Sequence, residues 1–116
     1  RKRYLMTQSE RFVKAENVQV EDLGGGVKRQ ILGYNHEIMV VKVWFEQGAE
    51  GYRHQHPHSQ STYVESGVFD VFINGEVQRL KAGDGFYIPP EELHGAVCIE
   101  AGVLIDTFSP VREDFL

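Results

Sequence analysis

Four of the five histidines fall in two places: His54, His56 and His58 lie together, and His94 follows about forty residues later. The pair His54-Gln55-His56 carries the clearest chemistry. On an extended strand residues i and i+2 point to one face, so two imidazoles converge on a single point, and imidazole is the commonest protein ligand for a metal ion. Gln60 and His94 could complete a set of four donors. A His-x-His pair alone is weak evidence, because surface strands carry such pairs without any function. If the set is real, all four donors are neutral. One divalent ion among them would keep its full +2 charge, act as a strong Lewis acid and attract anions. Neutral N and O donors suit Zn, Ni, Fe, Mn or Co alike, with coordination positions left open for water or substrate oxygens.

Two further residues could do chemistry. Val103-Leu104-Ile105-Asp106-Thr107-Phe108 is apolar on both faces apart from Asp106 and Thr107. Burying a lone carboxylate is costly, so Asp106 needs a partner or a cavity, which makes it a candidate general acid/base. The alternative is a strand-end Asp near solvent or in a structural ion pair. In the charged tail 109–116, Arg112 offers a planar fork for a carboxylate, although a tail arginine is more often solvated.

The elements that must hold these residues read as strands. Met39 to Phe45 is the clearest, with Met39, Val41, Val43 and Phe45 on one face and Val40, Lys42, Trp44 and Glu46 on the other. Trp44 and Phe45 are read as packing residues. Val27 to Leu32, Tyr52 to His56, Gln60 to Ser66, Phe86 to Ile88, Gly95 to Ile99 and Val103 to Phe108 are further candidates. Val68 to Ile73, Asn74-Gly75 and Glu76 to Leu80 form a hairpin, since Asn-Gly accepts the positive φ that a type I′ turn needs. Strand parity fixes what faces the site. If Gln60 points inward, so do Thr62, Val64 and Ser66, while Tyr63 and Glu65 point away. Glu65 is therefore a poor ligand despite being the nearby carboxylate. His58 falls in a connecting turn as a surface or supporting residue, and His36 in a solvated turn. Cys98 shares the face of His94 and has no basic neighbour in sequence, so it reads as buried packing. About nine short strands with no helical periodicity predict an all-β fold, an antiparallel sandwich or jelly roll.

The chain has 116 residues, one domain's worth; the first 23 are hard to read. Lys and Arg number 12 against 17 Asp and Glu, a net charge of −5, which argues against nucleic acid as a partner. No apolar run is long enough to span a membrane. The basic start Arg1-Lys2-Arg3-Tyr4 is followed by no apolar signal core, and the one cysteine fits a reducing compartment, so a cytoplasmic location is expected. A jelly roll has sheet edges to protect, so a homodimer is expected.

The spacing of Gly48, His54, His56, Gln60 and Gly67, followed by that of Gly83, Pro89 and His94, resembles the two cupin motifs, over 48–67 and 83–98. This implies a single-domain cupin, an antiparallel jelly-roll β-barrel. The chain departs from the motifs at Gln60, where Glu is usual, at Glu91, where Gly is usual, and at Cys98, where Asn is usual. The stretches His54-Gln55-His56-Pro57-His58-Ser59-Gln60, Glu100-Ala101-Gly102-Val103-Leu104 and Asp106 to Phe115 resemble more closely the KdgF family of pectin-degradation cupins, which shares the Gln exchange. That resemblance implies conversion of 4,5-unsaturated uronate monosaccharides, from pectin or alginate breakdown, into linear 5-keto-4-deoxyuronate. It implies metal binding by His54, His56, Gln60 and His94. It makes Asp106 the catalytic carboxylate and gives Phe108 and Arg112 the task of shaping and charging the site for a small anionic sugar. The competing readings are a cupin dioxygenase and a non-catalytic module that binds a sugar or uronate.

Overall fold

A computed structural model describes residues 7–116; the basic start at Arg1 to Tyr4 lies outside them. Eight strands are present among the described residues: β1 Glu21–Gly24, β2 Val27–Tyr34, β3 Met39–Phe45, β4 Glu50–His54, β5 Ser59–Ile73, β6 Glu76–Lys81, β7 Gly85–Ile88 and β8 His94–Ser109. Pairing is antiparallel throughout, in the order β1-β2-β3-β8-β5-β6, with β4 added to β8 and β7 to β5. Among the described residues the only helical pieces are short 3-10 turns at Ala15–Asn17 and Glu113–Phe115.

Two long strands organise the rest. β5 and β8 pair with each other from Ser59↔Ser109 to Ile73↔His94. The first half of β5 also pairs with β7, and its second half with β6. The second half of β8 pairs with β3, and its beginning with β4. Each long strand thus serves both halves of the jelly roll. They bend where the register shifts around Ser66 to Phe69. Gly67 has φ +84, and a Cβ there would lie 2.6 Å from the Gly102 Cα, so the bend needs glycine on both strands.

Apolar alternation builds the core as expected. Met39, Val41, Val43 and Phe45 are buried, while Val40, Lys42 and Trp44 face outward and are half-buried. They pack across the barrel against Phe69, Val71 and Cys98, with Phe45 and Phe69 edge to face at 5.2 Å. Burial of such side chains stabilises by about 1.5–3 kcal/mol each. Asn74 and Gly75 both have positive φ, as the hairpin requires.

The strand count differs from the sequence reading for two reasons. Gln60 to Ser66 and Val68 to Ile73 are one strand, as are Gly95 to Ile99 and Val103 to Phe108, because bulges bend them without breaking the ladder. The unreadable N-terminal stretch also supplies β1, which turns into β2 through three glycines with positive φ. Its earlier part is anchored to β2 by Gln30, whose Nε2 donates to the carbonyls of Ala15 and Val18, both at 3.0 Å.

Candidate metal centre

β4 ends at His54, directly opposite His94 at the start of β8. His56 lies just beyond β4, so the expectation that both residues of the pair sit on a strand is corrected. The backbone bends there, and hydrogen bonds rather than strand parity aim the second ring. One ring nitrogen from each of His54, His56 and His94 lies within 4.8 Å of the others, a cluster that could hold a metal ion. His54 is exposed at the rim; His56 and His94 are 6% and 5% exposed.

Each ring is oriented by a backbone carbonyl. Nδ1 of His54 faces the Tyr52 oxygen at 2.6 Å, that of His56 the His58 oxygen at 3.1 Å, and that of His94 the Glu92 oxygen at 2.8 Å. A carbonyl only accepts, so the tautomer that completes all three of these bonds carries its proton on Nδ1. Each Nε2 therefore keeps its lone pair. Burial lowers the pKa of His56, and brings that of His94 down to about 4, so both rings are neutral near neutral pH.

Two observations test whether a cation fits. The buried Nε2 of His94 has no hydrogen-bond partner. With the His56 proton on Nδ1, its Nε2 and the Oε1 of Gln60, 3.1 Å apart, are two acceptors with no proton between them. A divalent ion satisfies both, and the neutral N and O donors suit one. The residues fit a metal ion.

Gln60 is held from behind. It faces inward together with Thr62 and Val64, while Tyr63 and Glu65 face outward. Glu65 reaches towards Lys42 at 3.8 Å, away from the site. The Gln60 Nε2 donates to Thr62 Oγ1 at 3.0 Å and to Asp106 Oδ1 at 3.4 Å, and Thr62 Oγ1 donates to Asp106 Oδ1 at 2.6 Å. Asp106 is thus brought beside the candidate ligands, partly buried. Burial pushes its carboxyl up to about 6, against the hydrogen bonds from Thr62 and Gln60 and the charge of Arg112. A nearby +2 ion would draw it back down.

Phe108 is 3% exposed, and its ring stands behind His56 with centroids 5.8 Å apart. The Arg112 guanidinium lies over Phe108 at 5.1 Å and over Phe115 at 4.3 Å. Its side chain is 12% exposed, so it is not a solvated tail residue. The fork is already engaged: Nε and Nη2 donate to Asp114 at 3.0 and 2.8 Å, and this holds the Asp114 carboxyl below the usual carboxylate range. His58 is half-buried beside His56 and Phe108, with its Nδ1 buried and unpartnered. His36 is exposed. Cys98 is buried, and burial raises its thiol pKa, as its packing role requires. Glu91 adopts φ +66, where the motif's glycine would be at ease, and its N–H donates to the His56 carbonyl at 2.7 Å. A groove of about 390 Å³ lined by Phe12, Val18, Ile31 and Tyr34 contains none of these histidines.

Residues 41–108 match the model of the cupin domain family. The chain is 49% identical over 98 residues to the pectin degradation protein KdgF of Dickeya dadantii, covering 83% of this chain and 89% of that protein. The chain is a cupin of the KdgF family. Among solved structures, an RmlC-like cupin from Shewanella frigidimarina superposes on this KdgF-family cupin with a TM-score of 0.93 and 58% identity, over 96% of this chain and 100% of that one. KdgF from Halomonas sp. superposes with a TM-score of 0.87 and 39% identity, over 93% and 100%.

Two residues of this KdgF-family site were missed as site residues. Parity had turned Thr62 inward, two positions from Gln60, and that was the available signal. Asp114 carried none beyond its closeness to Arg112.

Proposed function

We propose that this cupin is a metal-dependent, non-redox enzyme that converts 4,5-unsaturated uronate monosaccharides from pectin or alginate breakdown into linear 5-keto-4-deoxyuronate. The observation that carries this reading is a recessed carboxylate, Asp106, joined by hydrogen bonds to a candidate ligand of a neutral three-His, one-Gln set. The 49% identity to a protein named for pectin degradation supports it. His54, His56, Gln60 and His94 would hold one divalent ion, and the ion would polarise a substrate oxygen and offset the negative charge of the sugar.

The net change is an isomerisation, with no electron transfer. The anomeric hydroxyl gives up a proton, the bond from C1 to the ring oxygen breaks to leave an aldehyde, and the enolate released at C5 takes a proton at C4 to become a ketone. One proton leaves and one arrives, which a single carboxyl group can carry. Asp106 is that group. Arg112, with Phe108 beneath it, supplies the positive edge for the uronate carboxylate, which must share the fork with Asp114 or displace it.

Replacing Asp106 by Asn tests this assignment. The Asn side-chain oxygen still accepts from Thr62, so fold and metal content are expected to persist while turnover falls about 10²–10⁴-fold. Full activity in that variant, measured as ring opening with metal content assayed in parallel, would remove Asp106 from the mechanism.

The protein is further proposed to act as a single cupin domain in the cytoplasm, where its buried thiol stays reduced. Among the described residues no helix is long and apolar enough to cross a membrane. A homodimer is proposed because the hydrogen-bonded path ends at β1 and β6, which present edges to cover.

A further inference from the structure

We infer that Thr62 is a positioning residue that sets which end of the Gln60 amide faces the metal and ties that ligand to Asp106. The inference rests on the metal reading above. Thr62 is 3% exposed and stands directly opposite Asp106 in the β5–β8 ladder, so both side chains enter the barrel from the same row. Gln60 occupies the next inward position, opposite Phe108.

The direction of the hydrogen bonds decides the amide. At 2.6 Å from Asp106 Oδ1, the Thr62 hydroxyl spends its single proton on the carboxylate. Its oxygen is then only an acceptor towards Gln60. The amide group that meets it at 3.0 Å must be the NH₂, which also reaches Asp106 at 3.4 Å. The carbonyl oxygen is left pointing at His56 Nε2, where a metal needs a lone pair. A flipped amide would set its oxygen against two acceptors, and its NH₂ would close the metal position. Without the hydroxyl, only the 3.4 Å contact with Asp106 opposes the flip.

A glutamate ligand has two equivalent oxygens and needs no such device. A glutamine ligand does, and a neighbouring hydroxyl bound to a carboxylate provides it. The same chain makes Thr62 hold both the ligand and the catalytic carboxylate, so loss of the hydroxyl is felt in metal affinity as well as in turnover.

The test compares Thr62→Val, which keeps the shape and removes the hydroxyl, with Thr62→Ser, which keeps the hydroxyl. The zinc affinity of metal-stripped wild type and both variants is measured by competition with a chelator, and thermal unfolding of the metal-free proteins checks the fold. The expected result is roughly 10–100-fold weaker binding in Thr62→Val, with recovery to near wild type in Thr62→Ser. Wild-type affinity in folded Thr62→Val would overturn the inference, whatever its activity. Equal weakening in both variants would also overturn it, because packing and not the hydroxyl would then matter. If the wild type itself bound no divalent metal, the metal reading would fail and this inference with it.

Discussion

Gln60 is the residue at which this site departs most from the usual cupin ligand set, and its surroundings explain why. Its NH₂ group lies 3.4 Å from the Asp106 carboxylate and 3.0 Å from an oxygen that only accepts. A glutamate here would set a second carboxylate against Asp106, and two such groups cannot both ionise without a large penalty. The variant Gln60→Glu is therefore expected to retain metal, reduce the charge of the loaded site by one and lose at least about 10-fold in turnover of an anionic substrate, with a raised KM. Metal analysis with steady-state kinetics checks it, and an unimpaired variant would show that ligand neutrality is irrelevant. At this scale much of the site was legible. Spacing picked out His54, His56, Gln60 and His94, and with Gln60 facing inward parity put Thr62 on the same face and Glu65 on the other. The engagement of Arg112 was not legible, because it depends on the 3-10 turn at Glu113–Phe115 bringing Asp114 and Phe115 around the guanidinium.

The candidate ligands come from the ends of three strands, β4, β5 and β8, and the carboxylate from the far half of β8. β8 begins with His94 and reaches Asp106 only after its bend, while β5 brings Gln60 and Thr62 alongside. The site therefore depends on where the two long strands cross. There the backbones are too close for a side chain: a Cβ on Gly102 would fall within 2.6 Å of the Gly67 Cα, and no flexible side chain can yield. Gly102→Ala is expected to destabilise by more than about 2 kcal/mol and to lower metal affinity by displacing Asp106 and Thr62. Denaturant unfolding and metal titration read both effects; a variant with wild-type stability would contradict the crossing geometry. Alternating burial along β3 and the Asn74-Gly75 turn made the individual strands legible. The continuity of β5 and β8 was not, because a glycine bulge and a strand break leave the same mark in a sequence.

The whole molecule carries a net charge of −5 and is proposed to bind an anion, so the positive potential must be local. A divalent ion held by neutral donors and the Arg112 guanidinium would supply it. The candidate ligands span positions 54 to 94 and are brought together only by the fold, so the ion should bind folded protein far better than unfolded chain. At free metal a hundred times Kd, stability is expected to rise by about 2.7 kcal/mol, which for a chain of this size moves Tm by on the order of 10 °C. A Tm indifferent to metal and chelator would argue against a site closed by folding. The central claim is tested most directly by following the ultraviolet absorbance of the double bond in a 4,5-unsaturated galacturonate monomer as it is lost. The account predicts loss well above the spontaneous rate with metal-loaded protein, suppressed by a chelator and restored by added divalent metal. An unchanged spontaneous rate with metal-loaded protein, on this monomer and on its alginate-derived counterpart, would contradict it.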